Sequence, residues 1–517
     1  MPVTGHLKYV ELTDFKAGVF TDPGGGKQLI MPATGMQQLD DAYPQVEGGL
    51  RAFFQPVVVT TAGIVAPTQE VCTGIAVVSG YTRRTGAGGQ GVNGTSICWY
   101  MTTWNDTTNI ARIYRMDGTG GETAWSAKFT SGVDNSGTGQ QSSFQRFVET
   151  AGTDYMIVSL RSGGATGTYK VLYDSTQASS GLGSDGVATK TTTHAGVLAV
   201  AAARIITGGS TPGTDQSLWW SAIGSASGDG TNFTGAGIGT VIPSPSAPRN
   251  GVKLLQTFDP DQLLVGFAGS AWKTITGDIS STSSPIRQMG TGHFPGNLQD
   301  GTRTPDGVVF IPPHGPAYLT DGRTFTDIST NLAGFNNAQS GIAIGGPGTG
   351  DYGEGFLFLP GGSVSFEEAK GWFKVTDQVG VYHYWDPNQG MLSVSAGVSF
   401  TIRSRQINRS LGARNLSYTF RTAPFAQPDG SQSVVREVEI DAQAYSVSSF
   451  TVTVTDHFGA TTTQTQSGIA VGRQVTSIPI KAIGEYLDVT VTATGASVEA
   501  PTIEKVRIGF TPGRRIR

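Results

Sequence analysis

The sequence predicts an all-β protein: a β-propeller of about six blades followed by a C-terminal antiparallel β-sandwich. Three observations predict this fold. The 517 residues include 73 Gly and 25 Pro and are only 14% charged, which is typical of short strands joined by tight turns. Aromatic residues recur about every 50 residues in the middle of the chain. After residue 390 the chain changes to longer strands in which apolar and polar residues alternate.

The local pattern along the chain is that of strands. Segments such as residues 74–78, 96–100 and 155–159 are β-branched or aromatic and are bounded by Gly, Asn, Asp or Thr. Helical spacing is nearly absent. The two helical candidates, residues 35–42 and 367–370, are too short to form a packed helical layer.

A small-residue turn followed by an aromatic residue and an apolar strand recurs five times in the middle of the chain. The aromatic residues are Trp125, Trp220, Trp272, Phe325 and Trp372, separated by 95, 52, 53 and 47 residues. Because the first spacing is about twice the others, a missing copy is expected near Tyr173. A repeat of this size matches one four-stranded propeller blade, so we expect the five aromatics in equivalent positions.

These patterns divide the chain into three parts. Residues 1–59 are expected to form an extended N-terminal docking segment, residues 60–388 the propeller, and residues 389–517 the sandwich. The sandwich is predicted from alternating strands such as residues 450–455 and 487–492, which have one apolar and one polar face.

Charge and cysteine content exclude several classes of protein. A net charge of −4 provides no broad cationic field for nucleic acid or an anionic membrane, so sequence-specific DNA binding is disfavoured. Cys72 and Cys98 match neither a zinc knuckle nor a disulfide-dense domain and are expected in the core. Residues 1–20 lack the pattern of a secretory signal, and no apolar stretch is long enough to span a bilayer. We therefore expect neither export by that route nor membrane insertion.

The two ends of the chain resemble a known family. Residues 12–22 with Phe15, then the acidic Asp40 and Asp41, then the Gly-Leu-Arg that ends at Arg51, resemble the opening of tail nozzle proteins of short-tailed bacteriophages. These are the tail tubular protein B and packaged-DNA-stabilisation families. Residues 478–480, 488–491 and 501–510 and the basic tail resemble their ending. The chain departs from the pattern where Asp40-Asp41 replaces the usual Asn and where residues 52–54 replace Arg-x-Gly.

This resemblance implies a virion structural protein of a phage tail, made in the host cytoplasm and without enzymatic activity. It implies a homohexameric ring that contacts the adaptor or other tail proteins, retains packaged DNA and lets double-stranded DNA pass non-specifically at ejection. Because a closed propeller has no free strand edges, ring contacts are expected to come from the two ends of the chain. The candidate interface residues are Phe15, Asp40, Asp41, Arg51, Arg514, Arg515 and Arg517.

Two alternatives remain at this stage. One is a minor tail protein of a long-tailed phage whose propeller binds host-surface glycan. The other is a secreted glycosidase, which the missing signal sequence disfavours. A glycosidase of the common kind needs two carboxyl groups flanking one bond, and the adjacent Glu367 and Glu368 would point apart.

The remaining motifs favour structural roles. Asp321-Gly322-Arg323-Thr324-Phe325 is close to the Asp-box of sialidase-type propellers, which forms a blade turn. The six histidines are isolated and lack zinc-site spacing. Basic pairs such as Arg83-Arg84 could contact DNA phosphates or an acidic neighbouring subunit. We therefore predict no catalytic residue, no cofactor and no metal ion.

Overall fold

The structure is a computed structural model. It describes residues 7–16, 18, 36–59, 70–83, 92–105, 107–117, 125–131, 142–150, 154–161, 167–172, 189–192, 196–208, 217–225, 240–241, 252–259, 262–267, 271–276, 286–291, 302–310, 317–322, 324–328, 351–359, 363–366, 368, 371–376, 380–395, 401–407, 413–426 and 432–512. Within these ranges all regular secondary structure is β, which confirms the all-β prediction. No helix in these ranges has the length and apolarity needed to cross a bilayer.

Five short strands open the chain. They are β1 (Lys8–Leu12), β2 (Met36–Asp40), β3 (Ala42–Pro44), β4 (Leu50–Ala52) and β5 (Val57–Val58). Most of the first helical candidate, residues 36–40 and 42, is therefore extended, with a bend at residue 41. Buried residues alternate with more exposed ones in β4, as expected for a strand with one face on a core.

Seven groups of four antiparallel strands follow, called sheets 1 to 7. Sheet 1 contains β6 (Val71–Arg83), β7 (Val92–Asn105), β8 (Ile110–Asp117) and β9 (Ser126–Thr130). Sheet 2 contains β10 (Ser143–Val148), β11 (Asp154–Leu160), β12 (Gly167–Leu172) and β13 (Thr189–Thr192). Sheet 3 contains β14 (Val197–Ala201), β15 (Arg204–Gly208), β16 (Ser217–Trp220) and β17 (Thr240–Val241).

The other groups continue in chain order. Sheet 4 contains β18 (Val252–Asp259), β19 (Gln262–Phe267), β20 (Ala271–Thr276) and β21 (Ile286–Thr291). Sheet 5 contains β22 (Thr302–Thr304), β23 (Gly307–Phe310), β24 (Tyr318–Thr320) and β25 (Phe325–Asp327). Sheet 6 contains β26 (Asp351–Gly353), β27 (Phe356–Phe358), β28 (Ser363–Phe366) and β29 (Trp372–Lys374). Sheet 7 contains β30 (Gly380–Asp386), β31 (Gly390–Ser395), β32 (Ile402–Arg405) and the upstream β5.

The sheets form a closed ring, as in a β-propeller. The first strands of consecutive sheets lie against each other, and β30 of sheet 7 lies against β6 of sheet 1. The apolar side chains between neighbouring sheets are buried, for example Ile157 against Leu198 between sheets 2 and 3. Because each sheet has two apolar faces, only a neighbour on both sides can bury them.

Eight strands, six of them nine residues or longer, form the C-terminal part of the chain. They are β33 (Ser417–Thr422), β34 (Phe425–Ala426), β35 (Ser433–Ala444), β36 (Ser448–Asp456), β37 (Thr461–Ile469), β38 (Gly472–Gly484), β39 (Tyr486–Gly495) and β40 (Thr502–Pro512). One sheet has the order β3-β4-β40-β35-β38, with β1 also paired to β40. The other has the order β2-β33-β39-β36-β37 and continues through β2 into β29 of sheet 6. The inner faces of both share one core, which includes Val438 and Val452, and we call them together the two-sheet unit.

Several sequence expectations need correction here. The described residues contain seven four-stranded groups, where about six blades were expected. The sequence did not predict sheet 7, because its fourth strand, β5, comes from far upstream. In this sheet Val58 lies opposite Arg403. The expected N-terminal docking segment instead supplies β1 to β4 of the two-sheet unit and β5 of the ring. β1, β2, β4 and β5 reach these places by pairing with strands hundreds of positions away, and β3 by pairing with β4, so local patterns do not reveal the arrangement.

The five repeat aromatics do not occupy equivalent positions. Trp220 and Trp272 lie in the third strands of their sheets, Phe325 and Trp372 lie in fourth strands, and Trp125 directly precedes one. The period itself is real, because sheets 2 to 6 begin at residues 143, 197, 252, 302 and 351. The repeat therefore marks successive sheets but not a shared packing site. The copy expected at residue 173 lies outside the described residues.

Candidate functional site

A cleft opens between sheets 5 and 6. It consists of two adjoining hollows of ≈ 360 and ≈ 440 Å³, which share Thr304, Asp306 and Tyr352. Both volumes are in the range typical of small-molecule sites. The remaining lining residues are Val309, Leu319, Thr326, Ile328, Leu357, Ser365 and Trp372 in the first hollow and Gln262, Arg303, Pro305, Gly307 and Asp321 in the second.

One wall of the cleft is aromatic and apolar. Trp372 is buried, and its indole Nε1–H donates a hydrogen bond to the Ile328 carbonyl oxygen at 2.9 Å. Tyr352 is half-buried and packs on the same apolar cluster, which includes Leu357. Because the indole is held by both packing and a hydrogen bond, this wall has a fixed shape.

The rim of the cleft carries two exposed carboxyl side chains on neighbouring turns. Asp306 lies on the turn between β22 and β23, and Asp321 on the turn between β24 and β25. The two turns touch at Gly307, whose φ is +145°: a Cβ there would overlap the Thr320 carbonyl oxygen and lie 3.4 Å from the Asp321 Cα. A side chain at position 307 would separate the turns, so glycine keeps Asp306 and Asp321 close together.

The predicted Asp-box forms the second of these turns. The Asp321 Oδ1 accepts hydrogen bonds from the Thr324 backbone N–H at 2.7 Å and from its hydroxyl at 3.1 Å. Gly322 has a φ of +79°, and Phe325 packs against the core between sheets 4 and 5. The interpretation of this motif as a turn is confirmed, and the same turn also places Asp321 on the cleft rim.

A second polar cluster lies where sheets 6, 7 and 1 meet. The Asp351 carboxylate accepts backbone N–H groups of Tyr352 and Trp385, and burial raises its pKa to about 6. The Asp386 carboxylate accepts the Ser79 hydroxyl and the backbone N–H of Asn388. These bonds join sheet 6 to sheet 7 and sheet 7 to sheet 1, so this cluster holds the ring together.

The cysteines and histidines form no metal centre among the described residues, where no three His, Cys, Asp or Glu side chains come together. Cys72 and Cys98 form no disulfide bond and are buried in two different core clusters. Burial raises the pKa of the Cys72 thiol to about 12, which keeps it protonated and unreactive at neutral pH.

The predicted interface residues that the structure describes are engaged within the chain. Phe15 is buried with its ring centroid 5.7 Å from that of Phe420. The Arg51 guanidinium pairs with Glu499 at 3.2 Å. The Asp41 carboxylate accepts the Thr376 backbone N–H, and burial raises the pKa of Asp40. Arg514, Arg515 and Arg517 lie outside the described residues. The two ends of the chain thus complete the two-sheet unit, where contacts to a neighbouring subunit were expected.

The sequence singled out only part of the cleft. The sequence predicted Trp372 as a repeat aromatic and Asp321 as a turn residue. It did not predict Asp306 or Tyr352 as residues of a site. The Pro305-Asp306-Gly307 segment is a turn signal that marks the loop but does not reveal its partner. Tyr352 comes from another sheet, so no local pattern connects it with Asp306.

Comparisons with known proteins provide no family for this chain. No family model and no curated protein matches it. Among solved structures it is similar to an exo-β-1,3-galactanase from Phanerochaete chrysosporium with galactose (8% identity, 84% of this chain and 100% of that chain, TM-score 0.25). It is also similar to a glycoside hydrolase family 43 arabinoxylan arabinofuranohydrolase from Bacillus subtilis (10% identity, 85% and 97%, TM-score 0.24). A third is an α-L-arabinanase from Penicillium chrysogenum (11% identity, 73% and 99%, TM-score 0.29).

These comparisons correct the functional prediction. The solved structures named above are glycoside hydrolases and not phage tail proteins. The prediction of a virion structural protein that retains DNA and has no enzymatic activity finds no support among these structures, and the tail nozzle role is withdrawn. The TM-scores are too low to transfer a substrate or a reaction to this chain, so any function must be argued from its own cleft.

Proposed function

We propose that the seven four-stranded groups are the blades of a seven-bladed β-propeller and that the two-sheet unit packs as a β-sandwich. The closed order of first strands supports the blade count. The core shared by both large sheets supports the sandwich. In this arrangement the cleft lies between the fifth and sixth blades.

The function proposed for this cleft is saccharide binding. The observation that carries it is the convergence of Tyr352 and Trp372 on one wall with Asp306 and Asp321 on the rim. A sugar ring has C–H faces that pack on aromatic side chains, and hydroxyl groups that donate hydrogen bonds to carboxylates. The volume and the mixed lining suit a ligand of one or two sugar units.

Isothermal titration with a panel of hexose and pentose disaccharides and trisaccharides tests this proposal. Tyr352→Ala is expected to weaken binding of the best ligand at least about tenfold, equivalent to about 1.4 kcal/mol. The control is Tyr486→Ala, which removes an exposed tyrosine in the two-sheet unit. Equal affinity in both variants, or no binding by the unchanged protein to any saccharide, would overturn the proposal.

A second candidate function is hydrolysis of a glycosidic bond in the same cleft. It is favoured by one observation: two carboxyl side chains lie on touching turns at the rim. Glycoside hydrolysis commonly uses such a pair, one as the acid and the other as nucleophile or base. Asp306 and Asp321 lie on different turns, so the two carboxyl groups come together only in the folded chain.

The test is release of p-nitrophenol from a panel of p-nitrophenyl glycosides. Asp306→Asn and Asp321→Asn are each expected to lower the rate at least about a hundredfold. Asp327→Asn, which changes a carboxyl of the same sheet outside the cleft lining, is the control. Binding without any hydrolysis would leave the saccharide-binding proposal standing and remove this one.

A further inference from the structure

Strand β37 forms an unprotected edge of the two-sheet unit. Among the described residues it pairs only with β36, and residues 463–468 are all exposed. The segment 461–472 contains no charged residue and no proline. Charges and prolines are the usual means by which proteins prevent an edge strand from pairing with another chain. Their absence over the nine residues of β37, seven of which have a partner in β36, leaves this edge available to another strand.

The outward face of β37 is already part of a threonine ladder. The Thr463 hydroxyl is 2.9 Å from that of Thr453, and the Thr465 hydroxyl is 3.0 Å from that of Thr451. Such cross-strand hydroxyl pairs stabilise neighbouring strands. A further strand with threonines in the same places would extend this ladder.

The sequence of β37 supplies such a strand itself. In residues 463–465, Gln464 is flanked by a threonine on each side. We propose that β37 pairs antiparallel with β37 of a second copy of this chain, about a two-fold axis at Gln464. Thr463 of each copy then lies opposite Thr465 of the other, and no like charges meet.

Two exposed apolar residues at the ends of β37 fit the same arrangement. Phe458, 85% exposed, lies on the turn before β37, and Val471, 65% exposed, lies on the turn after it. Asp456 fixes the first turn, because its Oδ1 accepts the backbone N–H of Phe458 at 2.9 Å and of Ala460 at 2.8 Å. With Gln464 on the axis, the turn before β37 of one copy lies beside the turn after β37 of the other, so the end that carries Phe458 is near the end that carries Val471. The arrangement therefore brings two exposed apolar side chains near each other at each end of the contact.

This dimer is independent of the saccharide-binding proposal and uses a different part of the molecule. It differs from the interface expected from the sequence, whose residues Phe15, Asp41 and Arg51 have contacts within the chain. The free edges of the ring sheets are short strands such as β25, whereas β37 has nine residues and lies outside the ring.

Sedimentation equilibrium of the full chain tests the proposal. The unchanged protein is expected to show a dimer mass that falls to the monomer mass on dilution. Gln464→Lys, which places two ammonium groups opposite each other at the axis, is expected to give the monomer mass at all concentrations. Val498→Lys, which adds the same charge at a position 57% exposed away from β37, is expected to remain dimeric.

A cysteine variant provides a second measurement that does not depend on weakening the contact. Gln464→Cys adds one accessible thiol to a chain whose Cys72 and Cys98 are buried. Mild oxidation is expected to convert it to a disulfide-linked dimer, whereas Val498→Cys stays monomeric on a denaturing gel. A monomeric unchanged protein, or equal cross-linking of the two cysteine variants, would overturn the proposal.

Discussion

The guanidinium of Arg414 lies 4.2 Å from the centre of the Phe54 ring, and its Nε is 3.3 Å from the Glu499 carboxylate. Phe54 directly precedes the segment that closes the ring, while Glu499 belongs to the two-sheet unit. Arg414 also donates to the Ala52 carbonyl oxygen at 2.8 Å. One buried cation thus ties the ring-closing segment to the two-sheet unit.

Replacing this cation is expected to be costly. Among the described residues, Arg414→Ala leaves the buried Glu499 with the half-buried Arg51 as its remaining ion-pair partner, and breaking a buried ion pair costs about 3 to 5 kcal/mol. Chemical denaturation measures the loss in free energy of unfolding. The control is Arg473→Ala, which breaks an exposed pair with Asp441 and should change stability much less. Equal losses in the two variants would show that Arg414 is not an important link.

The stability of the ring is expected to depend on pH through Asp351. Burial raises the pKa of this carboxyl to about 6 from its usual 3.8, so the folded state holds the proton more tightly than the unfolded state. Its contribution to stability is therefore complete below a pH of about 4 and is lost as the pH rises to about 6. Two pKa units correspond to roughly 3 kcal/mol at most.

Asp351→Asn is expected to remove this loss and flatten the stability profile between these two pH values. Thermal unfolding followed across that range measures it. Asp306→Asn, the same substitution at an exposed carboxyl, should leave the slope unchanged. Parallel profiles for the unchanged protein and Asp351→Asn would show that another group titrates.

Gly307 is expected to determine the shape of the cleft rim. Gly307→Ala introduces a Cβ that overlaps the Thr320 carbonyl oxygen at a φ of +145°, so the turns carrying Asp306 and Asp321 must move apart. We expect both a lower melting temperature and at least about fivefold weaker binding of any saccharide ligand, because the rim carboxyls are displaced.

The matched control for this change is Gly459→Ala. Gly459 also has a positive φ, +82°, but a Cβ there has no atom within 4 Å. This variant is expected to cost about 1 kcal/mol of backbone strain and to leave saccharide binding unchanged. If both variants bound saccharide equally well, the overlap at Thr320 would have no part in shaping the cleft.

What the sequence by itself determined is local. The alternation in residues 450–455 predicted a strand of the two-sheet unit because neighbouring side chains of a strand point to opposite faces. The Asp321 turn was predicted correctly because every atom in its hydrogen bonds lies within four residues. The spacing of about 50 residues predicted a ring of repeated sheets, since each sheet is one local antiparallel unit.

The tertiary structure alone decided everything that joins distant segments. Val57 and Val58 complete sheet 7 by pairing with Ser404 and Arg403, and β2 lies between β33 and β29. The composition of these short strands does not specify such partners, because many β-strands present the same backbone groups. Which strands pair depends on closing the ring and filling one core. The cleft also depends on tertiary structure: Asp306 and Asp321 meet because β23 pairs with β24 within sheet 5, and Tyr352 joins them because sheet 6 packs against sheet 5.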